Sequence, residues 1–590
     1  LPAQKKPVES SFVSENKLIP VVSRWLYEEY SLFYKEFLMI IDLAKIAFEK
    51  RDFASSVDAS SRRLALYSAS IVEVSKRLKQ AYPDIHDNSD CWHEVERYYQ
   101  QLIKDEYAED IGKAYLHSLR RKIYQDEWRA ADFSFSEMTP NDDKILSRVM
   151  VSYELESGLT EDVVESILNI PQFIRSYGDM SHERQRVLRR IIENLARSRH
   201  SSVQMVKVEM INAGFYRNRG AYLVGRLLFD SGDFVPLIIA LLNEESGIYV
   251  DAVLTSETYA HNIFSSTLAN FHVTSSYYHE VSALLKSIMP RRPLGLHYST
   301  IGYNHLGKVA VMSELESELN ECETGLETAV GSPGTVAMGF AARNSAYNLK
   351  VIRDKPTKNY KWGEFGGVES VIRKYTRVHE INRTGSMLDS IIYYKIRLDR
   401  RWFSPDLLEE LLTEAAETVS LVDGDVVFKY LIVQIKLTPL PVYLETATEK
   451  QAETAIANLG YCIKNNAAAN IFNRDLDARN YGIGSYSKVY LFDYDALEDL
   501  TEVKIRTNLD REDGEEDIPD WYFEDGVVFL PEELISGLCI PQRHLSVLFA
   551  RRHRNLLTTQ YWTAIQQDLL SGTVPSVSVY PDNERFGGSE

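Results

Sequence analysis

Apolar positions early in the chain recur at helical spacing. Leu26, Tyr30, Phe33, Phe37, Ile40, Ile41, Ala44 and Phe48 fall on one face, which predicts an amphipathic helix packed on a core. "LTEDVVESILNI" (159–170) and "ERQRVLRRIIENLARS" (183–198) read the same way, so the first half is expected to be mainly helical. The texture changes after about residue 205. "GAYLVGRLLF" (220–229) and "SGIYVDAVLTS" (246–256) read as strands set among helices. "HEVSALLKSIM" (279–289) is helical again, and "PRRPLG" (290–295) breaks it. From 327 to 354 the pattern is strand, glycine turn, strand, turn, strand. Ser404-Pro405 is a good helix start, because Ser caps and Pro fits the first turn. "DVVFKYLIVQI" (425–435) is a strand, and 450–472 is a helix with Ile456, Leu459 and Ile463 on one face. No short-period repeat is present.

Length and charge narrow the class. A chain of 590 residues exceeds one ordinary core and implies several units. A net charge of −19 argues against broad attraction to nucleic acid or anionic lipid. Cys91, Cys322, Cys462 and Cys539 are too scattered for a CxxC site and too few to brace the chain, so a reducing, cytoplasmic compartment is expected. The most apolar early run, 37–48, is too short to span a bilayer and is broken by Asp42 and Lys45. "LPAQKKPVES" has no apolar signal-peptide core. "DREDGEEDIPD" (510–520) reads as a solvated acidic loop.

The second half carries candidate chemistry. Phosphoryl transfer from ATP needs a lid over the phosphates, a lysine, a carboxylate that orients the attacking hydroxyl, and oxygen ligands for Mg²⁺. Each has a candidate, in the chain order of a protein kinase. Gly331-Ser332-Pro333-Gly334 is the lid candidate, though a plain turn has the same composition. Strand alternation puts Asn348, Lys350 and Ile352 on one face and Leu349 and Val351 on the other. Asp475 and Asn480, with Arg474 before them, match a kinase catalytic loop. D-x-x-x-x-N alone occurs by chance roughly once per few hundred residues. Asp493 opens "DYD" at the end of an apolar strand, with Asp495 close by. Carboxylates that converge without a cation repel one another, and a bound metal resolves that conflict.

Several stretches resemble the bacterial isocitrate dehydrogenase kinase/phosphatase family, over about 205–575. They are "FYRNRGAYLVGRL" (215–227), "LKVIRDK" (349–355), "AAANIF" (467–472), the "DYD", "TEV" (501–503), "FLPEEL" (529–534) and "YWTAIQ" (561–566). The resemblance implies an α+β architecture. A mainly helical N-terminal regulatory domain (1–325) would precede a bilobal protein-kinase-like domain (326–590), whose N-lobe covers about 326–436 and C-lobe about 437–590. It implies one site that phosphorylates a serine of isocitrate dehydrogenase and removes that phosphate, using ATP or ADP with Mg²⁺ (or Mn²⁺). AMP would act as allosteric effector. The reaction sets the branch between the citric acid cycle and the glyoxylate bypass. By the same resemblance Ala329, Val330, Gly331, Ser332, Pro333, Gly334 and Thr335 form the nucleotide loop, and Lys350 contacts ATP. Asp475 is the catalytic base, Asn480 and Asp493 are metal ligands, and Asp389, closing "YTRVHEINRTGSMLD" (375–389), serves the phosphatase. A homodimer is carried as the oligomeric expectation.

The chain departs from the family pattern at Asn473-Arg474, Arg479 and Ala496 around the catalytic loop, and at Ile381, Asn382 and Ser386 before Asp389. Two other readings stand beside this one. One is a small-molecule phosphotransferase of the aminoglycoside or choline kinase type. The other is a catalytically inactive nucleotide-binding module.

Overall fold

The computed structural model describes residues 15–130, 147–156, 158–265, 271–329, 334–358, 365–381, 384–484, 486–494, 496–508, 525–577 and 579–586. The acidic stretch 510–520, Asp495 and residues 330–333 of the expected nucleotide loop lie outside them.

The apolar stripe of the early chain forms helix Glu15–Lys50, and it packs with helices Phe53–Ala81, Trp92–Ile103 and Glu109–Tyr124. Leu26, Tyr30, Phe33, Tyr67, Trp92, Tyr99 and Tyr115 meet in their core. Among the described residues no helix is long and apolar enough to cross a membrane.

The strands expected at 220–229 and 246–256 are present as Gly220–Phe229 and Gly247–Leu254. They belong to a larger structure than the sequence reading foresaw, an antiparallel seven-stranded sheet. Its other members are Met150–Glu154, Met205–Ile211, Phe215–Arg217, Phe234–Glu244 and His272–Val273. Both faces are covered. Val208, Leu223 and Leu237 pack under helices Glu161–Leu168 and Met180–Ala196. Phe215, Val224 and Ile238 face the large helical core. A strand buried on both faces reads as a continuous apolar run rather than an alternating one, which is why "FVPLIIALLNE" gave no strand signal.

From Leu326 onward a second antiparallel sheet takes over, with six strands: Leu326–Thr328, Ala337–Ala342, Tyr347–Ile352, Ile391–Leu398, Val419–Val422 and Asp425–Ile435. Ser404 caps helix Pro405–Glu414 through Leu407 N, as its sequence promised. A helical lobe follows. Its central helix, Glu449–Ala468, opens on a capping box between Thr448 and Gln451. That helix ends earlier than expected. Asn470 adopts a left-handed φ of 64°, its Oδ1 accepts from Thr501 N at 2.9 Å, and Ile471–Asn473 is a strand paired with Leu497–Asp499.

Beyond helix Thr559–Leu570 the chain returns to the N-terminal half. Tyr580 OH donates to the buried Asp251 at 2.6 Å, and Arg585 pairs with the same carboxylate at 3.3 Å. Phe586 lies under the guanidinium groups of Arg186 and Arg190.

Candidate active site

Lys350 sits mid-strand, opposite Gly339 on one side and Ile432 on the other. Leu349 and Val351 enter the apolar core of the sheet, so alternation turns Lys350 and Asn348 toward the inter-lobe cleft. The ammonium is buried, donates to the Phe492 carbonyl at 3.2 Å, and faces the rings of Phe492 (5.0 Å) and Tyr375 (5.8 Å).

The catalytic-loop candidate is held by its own asparagines. Asn473 accepts from Asp475 N at 3.2 Å and donates to Asp475 O at 2.7 Å. Asn480 Nδ2 donates to the same carbonyl at 2.9 Å, which leaves the amide Oδ1 edge as an acceptor. Asp477 accepts from Arg479 N at 2.8 Å and pairs with the Arg479 guanidinium. The departures from the family pattern are thus mutually accommodated. Asn473 clamps the loop, Arg474 pairs with Glu498 at 3.2 Å, and the Ala496 carbonyl accepts from Arg474 N at 2.9 Å.

Strand Val489–Leu491 pairs with Tyr481–Ile483. Asn480 therefore begins a hairpin and Asp493 follows its end. Phe492 joins the parts: its N–H donates to Asn480 O at 3.1 Å, and its carbonyl takes Lys350. Sequence reading missed Phe492, because a residue that acts through its backbone leaves no side-chain signature.

Lys350, Asp475, Asn480 and Asp493 all line one cleft of about 1290 Å³, with Ala329, Gly334 and Thr335 at its N-lobe edge. Gly334 lies so close to the Ala337 carbonyl that a Cβ would overlap it. Of the expected loop, Val330, Gly331, Ser332 and Pro333 are outside the described residues. Among the described residues the lining holds eight Lys or Arg residues against four carboxylates, in a chain of net charge −19. That local reversal favours a polyanion. Arg291 and Arg292 of the N-terminal half contribute to it, and His261 lines the cleft beside them. Burial and the two neighbouring arginines push His261 down to about 3, so its ring stays neutral.

Asp389 is placed differently. It is buried, 5% exposed, and its neighbour Leu388 lines the cleft where Asp389 does not. The chain before it runs along the Asp493 strand: Leu491 N donates to Ser386 O at 3.0 Å and Leu388 N to Leu491 O at 2.8 Å. Tyr494 OH donates to the Leu388 carbonyl. Its phenol is held well above its ordinary value by burial first and then by the charges of Asp389 and Asp493.

Among the described residues no three His, Cys, Asp or Glu side chains gather as a self-sufficient metal site. Asn480 and Asp493, both on the cleft, could supply two oxygen donors. That is the usual protein share for Mg²⁺, which takes its remaining ligands from phosphate and water. The residues present therefore fit a Mg²⁺–nucleotide pair.

Comparison with known proteins decides the family. The chain matches the model of the isocitrate dehydrogenase kinase/phosphatase (AceK) regulatory domain over residues 23–323 and that of the kinase domain over 324–582. The chain belongs to this family. A relative from Rhodopseudomonas palustris (strain HaA2), named isocitrate dehydrogenase kinase/phosphatase, is 44% identical over 92% of this chain and 89% of its own length. Relatives of the same name from Anaeromyxobacter sp. (strain Fw109-5), 28% identical, and Idiomarina loihiensis, 26% identical, each cover 94% of this chain and 96% of their own lengths. The family is one of enzymes with kinase and phosphatase activity, and its known role is control of the glyoxylate bypass. The match reaches residue 23, well beyond the 205–575 over which the motifs were recognised.

Proposed function

We propose that this chain phosphorylates isocitrate dehydrogenase and removes that phosphate, at one site between the lobes of residues 326–590, with residues 1–325 as the regulatory part. The observation that carries the reading is the junction at Phe492, whose backbone ties Lys350 to Asn480 and sets both beside Asp475 and Asp493. Lys350 holds phosphate charge, and residues 329–335 act as the nucleotide loop. Asp475 accepts the proton of the substrate hydroxyl. Asn480 Oδ1 and the Asp493 carboxylate would hold the divalent cation, Mg²⁺ or Mn²⁺, which neutralises charge developing on the phosphates of ATP or ADP. Asp389 serves the reverse reaction from its buried place beside Tyr494. AMP is taken as the allosteric effector. The cytoplasm is the location, and neither nucleic acid nor membrane is a partner. A homodimer belongs to the same reading, and sedimentation of the purified chain tests it.

The deciding experiment incubates the protein with isocitrate dehydrogenase and Mg·ATP, then with ADP or AMP, and follows protein-bound phosphate in both directions. Gain and later loss of phosphate supports the reading. Transfer in neither direction, with nucleotide still bound, overturns it in favour of an inactive nucleotide-binding module. Asp389→Asn is expected to abolish phosphate removal while phosphorylation continues.

A further inference from the structure

Asn480 and Asp493 are the two ends of one short hairpin, and the tip of that hairpin rests on the N-terminal half. Its strands, Tyr481–Ile483 and Val489–Leu491, are three residues each, so tip and base are only about 10 Å apart. Gly484 N donates to Lys488 O at 3.0 Å and Ser487 N to Gly484 O at 3.1 Å, which closes the tip. Helix Glu257–Phe264 receives it. The Tyr486 ring stacks on His261, with centroids 3.7 Å apart and planes at 17°, and its hydroxyl donates to Glu257 Oε1 at 2.7 Å. Lys488 Nζ donates to the Asn262 carbonyl at 2.6 Å.

The receiving helix is a fixed element. Ser256 caps it through Tyr259 N, and Ala260, Ile263 and Phe264 are buried in the core of the N-terminal half. Its last-turn carbonyls lack intrahelical donors and favour cations. Lys488 takes one of them from the catalytic side, and Arg217 of the seven-stranded sheet takes the next, Ile263 O, at 2.8 Å. Burial first, then the nearby Arg217 and Arg292, push the Lys488 amine down to about 7, while the Cys462 thiol opposes that shift. Asn458 of the C-lobe holds the tip from the other side through Ser487 O at 2.6 Å.

We propose that Tyr486 and Lys488 are positioning residues: by seating the hairpin tip on helix Glu257–Phe264 they set where Asn480 and Asp493 together stand relative to Lys350 and Asp475, and so let the N-terminal half control how tightly the site takes a divalent cation with nucleotide. This rests on the reading of Asn480 and Asp493 as metal ligands. Both are joined to the tip by a few paired residues, so tilting the tip displaces both ligands together.

The test titrates the full chain with a fluorescent ADP, with and without Mg²⁺, and counts bound Mn²⁺ by electron paramagnetic resonance. Tyr486→Phe and Glu257→Ala remove one hydrogen bond from opposite sides. Each is expected to lower the Mg²⁺-dependent gain in ADP affinity at least threefold, with metal-free ADP affinity within twofold of the parent. The double variant falls no further than either single one. Lys488→Met has the larger effect, and Lys488→Arg restores part of it. Should Lys488→Met fail to fold, Glu257→Ala at the half-exposed start of the receiving helix still decides. An unchanged Mg²⁺-dependent gain in the variants, or an equal loss with and without metal, overturns the inference. A parent protein without any metal-dependent ADP binding overturns the nucleotide-site reading and this inference with it.

Discussion

Asp475→Asn separates chemistry from binding, because the structure isolates the carboxylate from what holds the loop. Among the described residues three hydrogen bonds fix Asp475, and all use its backbone: to Asn473 at 2.7 and 3.2 Å and to Asn480 at 2.9 Å. The isosteric amide leaves them intact. What is lost is proton acceptance from the substrate hydroxyl, worth 10²–10⁴ in rate, or about 2.7–5.4 kcal/mol of barrier. The assay is initial phosphate incorporation into isocitrate dehydrogenase at saturating Mg·ATP, beside titration of a fluorescent ADP. The expected result is a rate at or below about 1% of the parent with ADP affinity within about twofold. A variant that keeps more than about a tenth of the rate, or loses ADP affinity in step with rate, would refute the assignment of Asp475 as base.

Lys350→Met removes a charged partner for phosphate, worth about 1.5–3 kcal/mol. ADP affinity should fall roughly 10- to 100-fold, and unchanged affinity by fluorescence titration would place the phosphates elsewhere. Gly460→Ala inserts a methyl group into the space of His553, whose Nε2 meets the Ala457 carbonyl at 3.0 Å. Overpacking should outweigh the gain in helix propensity and cost about 1–3 kcal/mol, read from denaturant unfolding. Burial holds His553 down to about 4 against an ordinary 6.5, with the nearby Lys464 adding to it. Its contribution is therefore complete above pH 6.5 and lost as pH falls toward 4, since the unfolded chain takes the proton first. Thermal midpoints measured from pH 7 to 5 should drop less steeply in His553→Gln, and identical slopes would exclude this group as the cause.

How much of this was legible depended on whether a signal was local. The helix at Leu26–Phe48 and the Ser404 cap were readable because periodicity and capping act within a few residues. The face of Lys350 followed from strand alternation alone. The seven-stranded sheet was only partly visible, because strands such as Phe234–Glu244 are covered on both sides and lose their period-two pattern. The end of helix Glu449–Ala468 was missed because Asn470 turns the chain in an apolar run that otherwise continues. Within the site, Asp475, Asn480 and Asp493 stood out as side chains. The Phe492 junction and the seating of Tyr486 on His261 depend on contacts far apart in sequence, which no motif records.

The return of Val579–Phe586 to the N-terminal half has a consequence for synthesis. Asp251 is buried, and its partner Tyr580 lies 329 residues later in the chain. At roughly 5–20 residues per second, the ribosome takes on the order of 15–65 s to deliver it. Until then the carboxylate lacks both the Tyr580 hydroxyl and the Arg585 guanidinium, and a buried charge without its partners is costly. The N-terminal half thus completes its fold only after the catalytic lobes have been made, so a product cut short inside them leaves this half open to proteolysis.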